Sequence, residues 1–527
     1  MASRKALAAA GALALIALAG CGDDPAGTSG GKLANGGTFT LVLGADPGNL
    51  DPHFTSLSSA HQVDRFLYDS LVNIDETGRM VAGLADRWQA TTTTATFTLR
   101  KGVTCADGTP LTAGQVAANI NFVGDPKNAS SRIGFFVPAG ATASGDDAAG
   151  TVTVTSPTPD SFLDRNVGGL QIVCGRGMAD RGLLRQGADG TGMFTVAEAV
   201  SGDHYTLRRR ADYAWGPGDW RTGQPGLPDT VVLRIVANES TAANLLLSKA
   251  VNAVQLVGPD QQRVAATKAF VRSVEAPLGE LWFNQKAGFP GADEAVRRAL
   301  TQALDLGQLA QVVSSGRGRP ATGLAPGGPC GRNTIGSNLP SHDVTAAKAA
   351  LDAAGWTAGA DGVRVRNGTR LAMAFYFPTT LGQGMQAGAE LVQNLWKGVG
   401  VEVTLRGVTD AETSQLIVGG QAPWSAALLP LGLTLPTQAV PFFSGPTAPT
   451  GTNFASIDNP DYIAAVRAAS AVAGSGGCAQ WDAAEQALFR RADIVPFVNS
   501  NVPVFGQGTT FELSQGSVTP GSIRMLG

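Results

Sequence analysis

The chain has 527 residues, too many for one hydrophobic core, so two or more lobes are expected. A formal net charge of −3 with only 15% charged residues excludes the basic surface of a general nucleic-acid binder. With 68 glycines and abundant alanine, the composition is that of a globular protein with small-residue loops.

Arg4 and Lys5 open the chain with positive charge, and Ala6 to Gly20 is an uncharged, Ala/Leu-rich run. That run is too short to span a bilayer comfortably, and residues 1–20 read as an export signal. It ends in Leu18-Ala19-Gly20-Cys21, which resembles the lipobox of bacterial lipoproteins. The resemblance implies cleavage before Cys21, lipidation of its thiol, and anchoring on the extracytoplasmic face of the cell membrane. Residues 21–36, rich in Gly, Asp, Ser and Thr, read as a flexible tether. Export places Cys105, Cys174, Cys330 and Cys478 in an oxidising compartment. No C-x-x-C occurs and no histidine clusters with them, so a zinc site is not expected. Three pairings are open. Cys105–Cys174 with Cys330–Cys478 is favoured, because each bridge would then stay within one lobe.

Alternation in TATFTLRKG (Phe97, Leu99) and GTVTVTS (Val152, Val154) predicts half-buried strands. PDTVVLRIV predicts another, followed by a helix over NESTAANLLLSKA capped near Ser240. Asp293 is the predicted N-cap of one helix carrying Val296, Leu300, Leu304 and Val312 on a single face. A further helix starts near Asp343 and stops at Gly355, and a hairpin turns at Asn367-Gly368. A helix over AGAELVQNLWKGVG then runs into the strand VEVTLRGV, which completes a mixed α/β pattern. Trp424 to Phe443, WSAALLPLGLTLPTQAVPFF, holds no ionisable side chain. It is a membrane span, a core strand or one wall of a cleft. Pro430, Gly432 and Pro436 argue against the span, whose backbone donors must all be satisfied. No G-x-x-x-x-G-K-[ST] phosphate loop or H-E-x-x-H helix is present, so these motifs give no support to an enzyme.

The segments FLYDSLVNIDETGRMVAGLADRW, TATFTLRKGVTCADGTPLTAGQVAANINF, ELWFNQKAGFPGADEAVRRALTQALDL, AAKAALDAAGW and NFASIDNPDYIAAVRAA, in that order, resemble family 5 of the extracellular solute-binding proteins. These are the peptide- and nickel-type receptors of ABC importers. The resemblance runs from about Gly37 to Phe511, with Cys105 and Gln115 departing from the usual residues. It implies a two-lobed, hinged, periplasmic-binding-protein-like fold with an extra subdomain in lobe I. Lobe I would cover 35–275 with a return segment at 490–527, and lobe II 276–489. The hinge would pass through EAPLGELWFNQ and DIVPFVNS. The implied function is capture of a peptide-like or other small, largely apolar solute between the lobes and delivery to the permease. A nickel or metal-chelate receptor and a sensory lipoprotein are the alternatives. No cofactor is expected, and a monomer is.

The resemblance also places candidate contacts. Thr55, Ser56, Leu57 and Ser58 would line the cleft from lobe I, where small hydroxyls suit a neutral ligand. Arg132 would pair a ligand carboxylate or phosphate, and Phe135 would reach the cleft. Phe136 follows directly, so in a strand only one of the two faces it. His53, His61, His204 and His342 form no pair, which weakens the metal reading. In peptide receptors of this family, an aspartate in the segment matching Leu429 to Pro436 anchors the peptide's ammonium. Counting back from Pro436 puts Gly432 at that aspartate's position, so the charge is missing. WSAALL then reads as core strand and Leu431, Gly432, Leu433 and Thr434 as an apolar cleft wall, with Thr434 its one hydroxyl.

Overall fold

The computed structural model describes residues 31–55, 57–218, 220 and 223–527. Cys21, the export signal and Ser56 therefore lie outside the described residues. A single eleven-stranded sheet runs through both lobes. On the first-lobe side, β1 (Thr38–Leu43) pairs in parallel with Thr230–Ile235. His204–Arg209 and Phe194–Val200 extend that side by antiparallel pairing. β2 (Phe270–Phe283) reaches into the second lobe, where Leu281 to Phe283 pair with β3 (Ala426–Leu428). β3 in turn lies parallel to Ala372–Pro378, which pairs with Glu402–Val408. β4 (Ile494–Gly506) runs antiparallel to β2 from Phe270↔Gly506 to Trp282↔Ile494. These two long strands carry the sheet from one lobe to the other.

Their ladder is interrupted between Pro277, Gly279 and Glu280. Pro277 has no N–H to donate, and a Cβ on Gly279 would sit 2.3 Å from the Phe497 ring. Only glycine lets the strands approach there. The period of two then sorts the side chains: Leu281 and Phe283 join one core with Phe375 and Trp396, and Trp282 joins another with Tyr376 and Phe443. The first lobe has its own core around Phe39, Phe66, Phe97 and Phe194.

In the first lobe, α1 is Ser58–Leu67 and α2 is Ala113–Gly124, opened by a Thr112/Gln115 capping box. The predicted strands around Phe97 and Val152 belong to a separate four-stranded antiparallel sheet. α3 (Leu163–Gly168) follows it. The Cys105–Cys174 and Cys330–Cys478 bridges are both formed, with Cα atoms 6.1 and 5.1 Å apart. The hairpin turns at Asn367 and Gly368, both at positive φ.

Two predicted boundaries move. The helix near Ser240 is capped by Asn238, whose side chain accepts from Thr241 N. The long helix after Asp293 breaks into α4 (Glu294–Gln302) and α5 (Leu306–Val313), because Asp305 caps a new N-terminus by accepting from Gln308 N. The break resets the helical phase, so Val313 is the buried residue and Val312 only half-buried. The second lobe closes with α6 (Pro460–Ser470) and α7 (Cys478–Arg490). Among the described residues, no helix is long and apolar enough to cross a membrane.

Candidate solute-binding cleft

The first-lobe side is built on the turn before α1. Asp51 accepts from His53 N and holds the Arg181 guanidinium through Nε at 2.8 Å. His53 is fully buried with Nε2 3.0 Å from Gln171 O, and burial followed by Arg181 pushes its ring down to about 4. His53 therefore packs as a neutral ring. Thr55 is buried, with its hydroxyl facing Leu57 N, whereas Leu57 and Ser58 are exposed at the N-terminus of α1.

Arg132 is only 4% exposed. Its Nε donates to Pro52 O at 3.0 Å, and Nη2 lies 3.0 to 3.1 Å from the His61 ring nitrogens. Burial, then Arg132 and Arg65, pushes His61 down to about 3, so the ring is neutral. Asp64 is fully buried with neither oxygen hydrogen-bonded, and burial holds its carboxyl well above the usual carboxylate range. Burial lowers the guanidinium of Arg132 only to about 10. It stays charged at neutral pH, its side-chain hydrogen-bond partner His61 is neutral, and the buried Asp64 nearby pulls it back toward its ordinary value.

The segment after Arg132 is a turn rather than a strand, since Phe135 N and Phe136 N both donate to Arg132 O. The two rings meet edge-on at 5.1 Å. Phe136 packs on the first-lobe core and Phe135 on the second-lobe cluster of Trp282 and Phe443. The two rings are thus divided by a turn and not by the alternation of a strand. Gly134, at φ 74°, lies so close to Pro441 that a Cβ would meet its ring at 3.2 Å.

On the second-lobe side, WSAALL supplies β3 as expected. The chain beyond it is held by β2: Leu429 N donates to Glu280 O, Trp282 Nε1 to Leu429 O, and Leu431 N to Glu280 Oε2 at 2.7 Å. Leu431 is half-buried and Gly432 exposed, with no atom within 4 Å of where a Cβ would stand. Leu433 departs from the expected wall: at 3% exposure it is part of the core. The turn starting at Pro436 draws it inward, because Gln438 Oε1 accepts from Thr434 N, Thr434 Oγ1 and Leu435 N. The Thr434 hydroxyl proton is thus already committed. A groove of about 230 Å³ lies beside β4, lined by Leu306, Ala310, Pro320, Leu339 and Phe497 among others. None of its lining residues comes from the 55–58, 130–136 or 431–434 segments.

The sequence did not flag Glu280 as more than a hinge residue. Its signal was an acidic residue in phase with Trp282 at the start of the apolar run Leu281-Trp282-Phe283. It is 1% exposed, Oε1 has no partner, and burial pushes its carboxyl up to about 8, Glu485 adding to the rise. Glu485 is pushed up to about 7 by burial, although it accepts from Thr334 Oγ1. Both groups hold protons in the folded state that an unfolded chain releases from about pH 4.5 upward. Their contribution is therefore present in acid and is lost as pH rises toward 8. Glu280→Gln should remove on the order of 2–4 kcal/mol of that loss. Urea midpoints at pH 5 and pH 8 check this: the variant should gain on the wild type at pH 8, and an equal offset at both pH values would refute it.

A sheet shared by two lobes through a pair of long antiparallel strands, with segments of both lobes meeting beside it, is the architecture of hinged solute receptors. The profile described as "Bacterial extracellular solute-binding proteins, family 5 Middle" matches residues 79–441. The chain belongs to that family. Protein XP55 of Streptomyces lividans is 28% identical over 400 residues, covering 72% of this chain and 69% of its own length. The glutathione-binding protein GsiB of Shigella boydii is 24% identical over 301 residues, covering 54% and 56%. Among solved structures, the oligopeptide-binding protein AppA of Bacillus subtilis, in complex with a nonapeptide, superposes with TM-score 0.77 at 17% identity. That match covers 94% of this chain and 100% of AppA. A substrate-binding protein of Microbacterium hydrocarbonoxydans, complexed with 4-hydroxybenzoate hydrazide, gives 0.76 at 24% identity, over 93% and 99%. These identities carry the fold alone. Proteins of this family are extracytoplasmic binding proteins rather than enzymes, and they hand small solutes or peptides to ABC permeases.

Proposed function

We propose that this chain is a lipid-anchored receptor, held to the membrane through Cys21, that closes its two lobes on a small, largely apolar solute lacking a free ammonium group. Lobe I comprises 35–275 with the return segment 490–527, lobe II comprises 276–489, and β2 and β4 are the hinge. Thr55, Ser58, Arg132 and Phe135 face the solute from lobe I. Leu431, Gly432 and Thr434 face it from lobe II.

The observation that carries this reading is the absence of an ionised acid at the lobe II wall. Residues 424–443 contain none. Glu280, which holds the wall at Leu431 N, is kept protonated at neutral pH by its burial. An ammonium therefore meets no negative charge there, while an anionic or strongly accepting group is favoured by the charged guanidinium of Arg132, whose hydrogen-bond partners are the Pro52 carbonyl and a neutral His61. A hydrogen bond to a charged group contributes about 1.5–3 kcal/mol. Its absence should weaken a free-amine peptide by roughly 10- to 150-fold against a ligand that does not need it. Calorimetry on matched peptides with free and acetylated N-termini tests this, with Arg132→Ala as the second arm. Preference for the acetylated form, and at least about a tenfold loss in the variant, support the reading. A strong preference for the free amine would sink it.

A further inference from the structure

The first lobe touches the second at a place well removed in sequence from the hinge strands. Ser161 and Phe162, in the loop before α3, enter a recess formed by Leu435, Ala469 of α6 and Trp481 of α7. Phe162 is 5% exposed there. Ser161 Oγ donates to Ala469 O at 2.8 Å and accepts from Trp481 Nε1 at 3.3 Å, while Ser161 O accepts from Gly474 N. Asn166 Nδ2 adds a bond to Thr437 Oγ1 at 2.9 Å.

Both sides are braced for this contact. Asp160 accepts from Phe162 N and from Asn166 Nδ2, which fixes the loop and the first turn of α3 as one unit. Across from it, Cys330 packs against the recess and is bonded to Cys478, the first residue of α7. A large apolar ring in a lined recess, with three hydrogen bonds around its neighbour, is more than incidental surface contact.

We infer that Ser161, Phe162 and Asn166 form a latch that holds the two lobes together in the absence of solute. The latch joins residues of both lobes, and it engages Leu435 and Thr437 just beyond Leu431, Gly432 and Thr434. Opening the cleft requires withdrawing Phe162 from the recess and breaking the Ser161 and Asn166 bonds. Solute affinity then includes the preference for the closed form that the latch already provides. The inference rests on the two-lobed hinge reading but on no particular solute.

Small-angle scattering of the solute-free, full-length chain tests it. The wild type should have the smaller radius of gyration, and Ser161→Ala with Phe162→Ala should increase it while leaving a single cooperative melting transition. Ser161→Ala alone, together with Thr437→Val, provides a milder variant should the double substitution disturb folding, and the same direction of change is expected. Equal radii for wild type and variants, or variants that lose melting temperature with no change in shape, would make the contact a fixed part of the scaffold and overturn the latch. Because the measurement uses no ligand, its failure is separate from failure of the proposed solute preference.

Discussion

Asp493→Ala should destabilise the protein by about 3–5 kcal/mol, the range for removing one partner of a buried ion pair. Asp493 Oδ1 accepts from Arg297 Nη2 at 2.8 Å, and both side chains are 1% exposed. Oδ2 accepts from Asn459 Nδ2 at 2.7 Å, and Arg297 Nη1 also donates to Gly291 O. Burial raises the Asp493 carboxyl and lowers the Arg297 guanidinium, while each partner pulls the other back toward its charged form. Truncating the acid takes from a fully buried guanidinium its hydrogen-bonded counter-charge, leaving the more distant Glu294, and this costs far more than the pair itself contributes. Asp493 directly precedes β4 and Arg297 lies on α4, so the loss falls on the joint between the second-lobe helices and the spine. Denaturant unfolding gives the number. A loss below about 1 kcal/mol would mean that water or a rearranged carboxylate replaces the bond.

Replacing Cys330 and Cys478 by serine should cost about 2–5 kcal/mol, since the bridge closes a loop with a sequence separation of 148. The Cys105–Cys174 bridge closes a separation of only 69, so its removal should cost slightly less through the logarithm of loop length. The first pair should show a second effect that the other lacks, because Cys330 backs the recess that receives Phe162. Unfolding of the two double variants side by side ranks them. Losses that differ only by the small loop-length term, with equal scattering profiles, would show that loop closure alone operates.

The parts of the fold that sequence makes legible are those governed by local chemistry. Asp293 and Asp343 cap helices because a carboxylate before an apolar face satisfies free amides wherever it occurs. Asn367-Gly368 turns a hairpin because both positions need positive φ. The break at Asp305 was hidden because its side chain serves equally well mid-helix on the surface, and only tertiary packing selects the cap. Leu433 illustrates the same limit at the cleft. Prolines and glycine correctly removed residues 430–436 from a central strand, yet which way each leucine turns depends on Gln438, whose three accepted bonds no periodicity announces. The buried Glu280 was illegible for a complementary reason: an acidic residue in a strand normally reads as the solvent side. Phe162 carried no signal at all, since its partners lie some 270 to 320 positions away in the chain.

The Ser161–Trp481 bond also makes the protein an optical instrument. Trp282, Trp396, Trp424 and Trp481 are all at 1% exposure or less and sit in the second lobe. Trp282 and Trp396 direct their indole N–H groups to carbonyls of that same lobe, Leu429 and Leu300. Trp481 directs its N–H to a first-lobe hydroxyl. Separation of the lobes would hydrate the Trp481 indole while leaving Trp282 and Trp396 in apolar surroundings, so a red shift in emission that vanishes in Trp481→Phe follows lobe opening in real time without any attached dye.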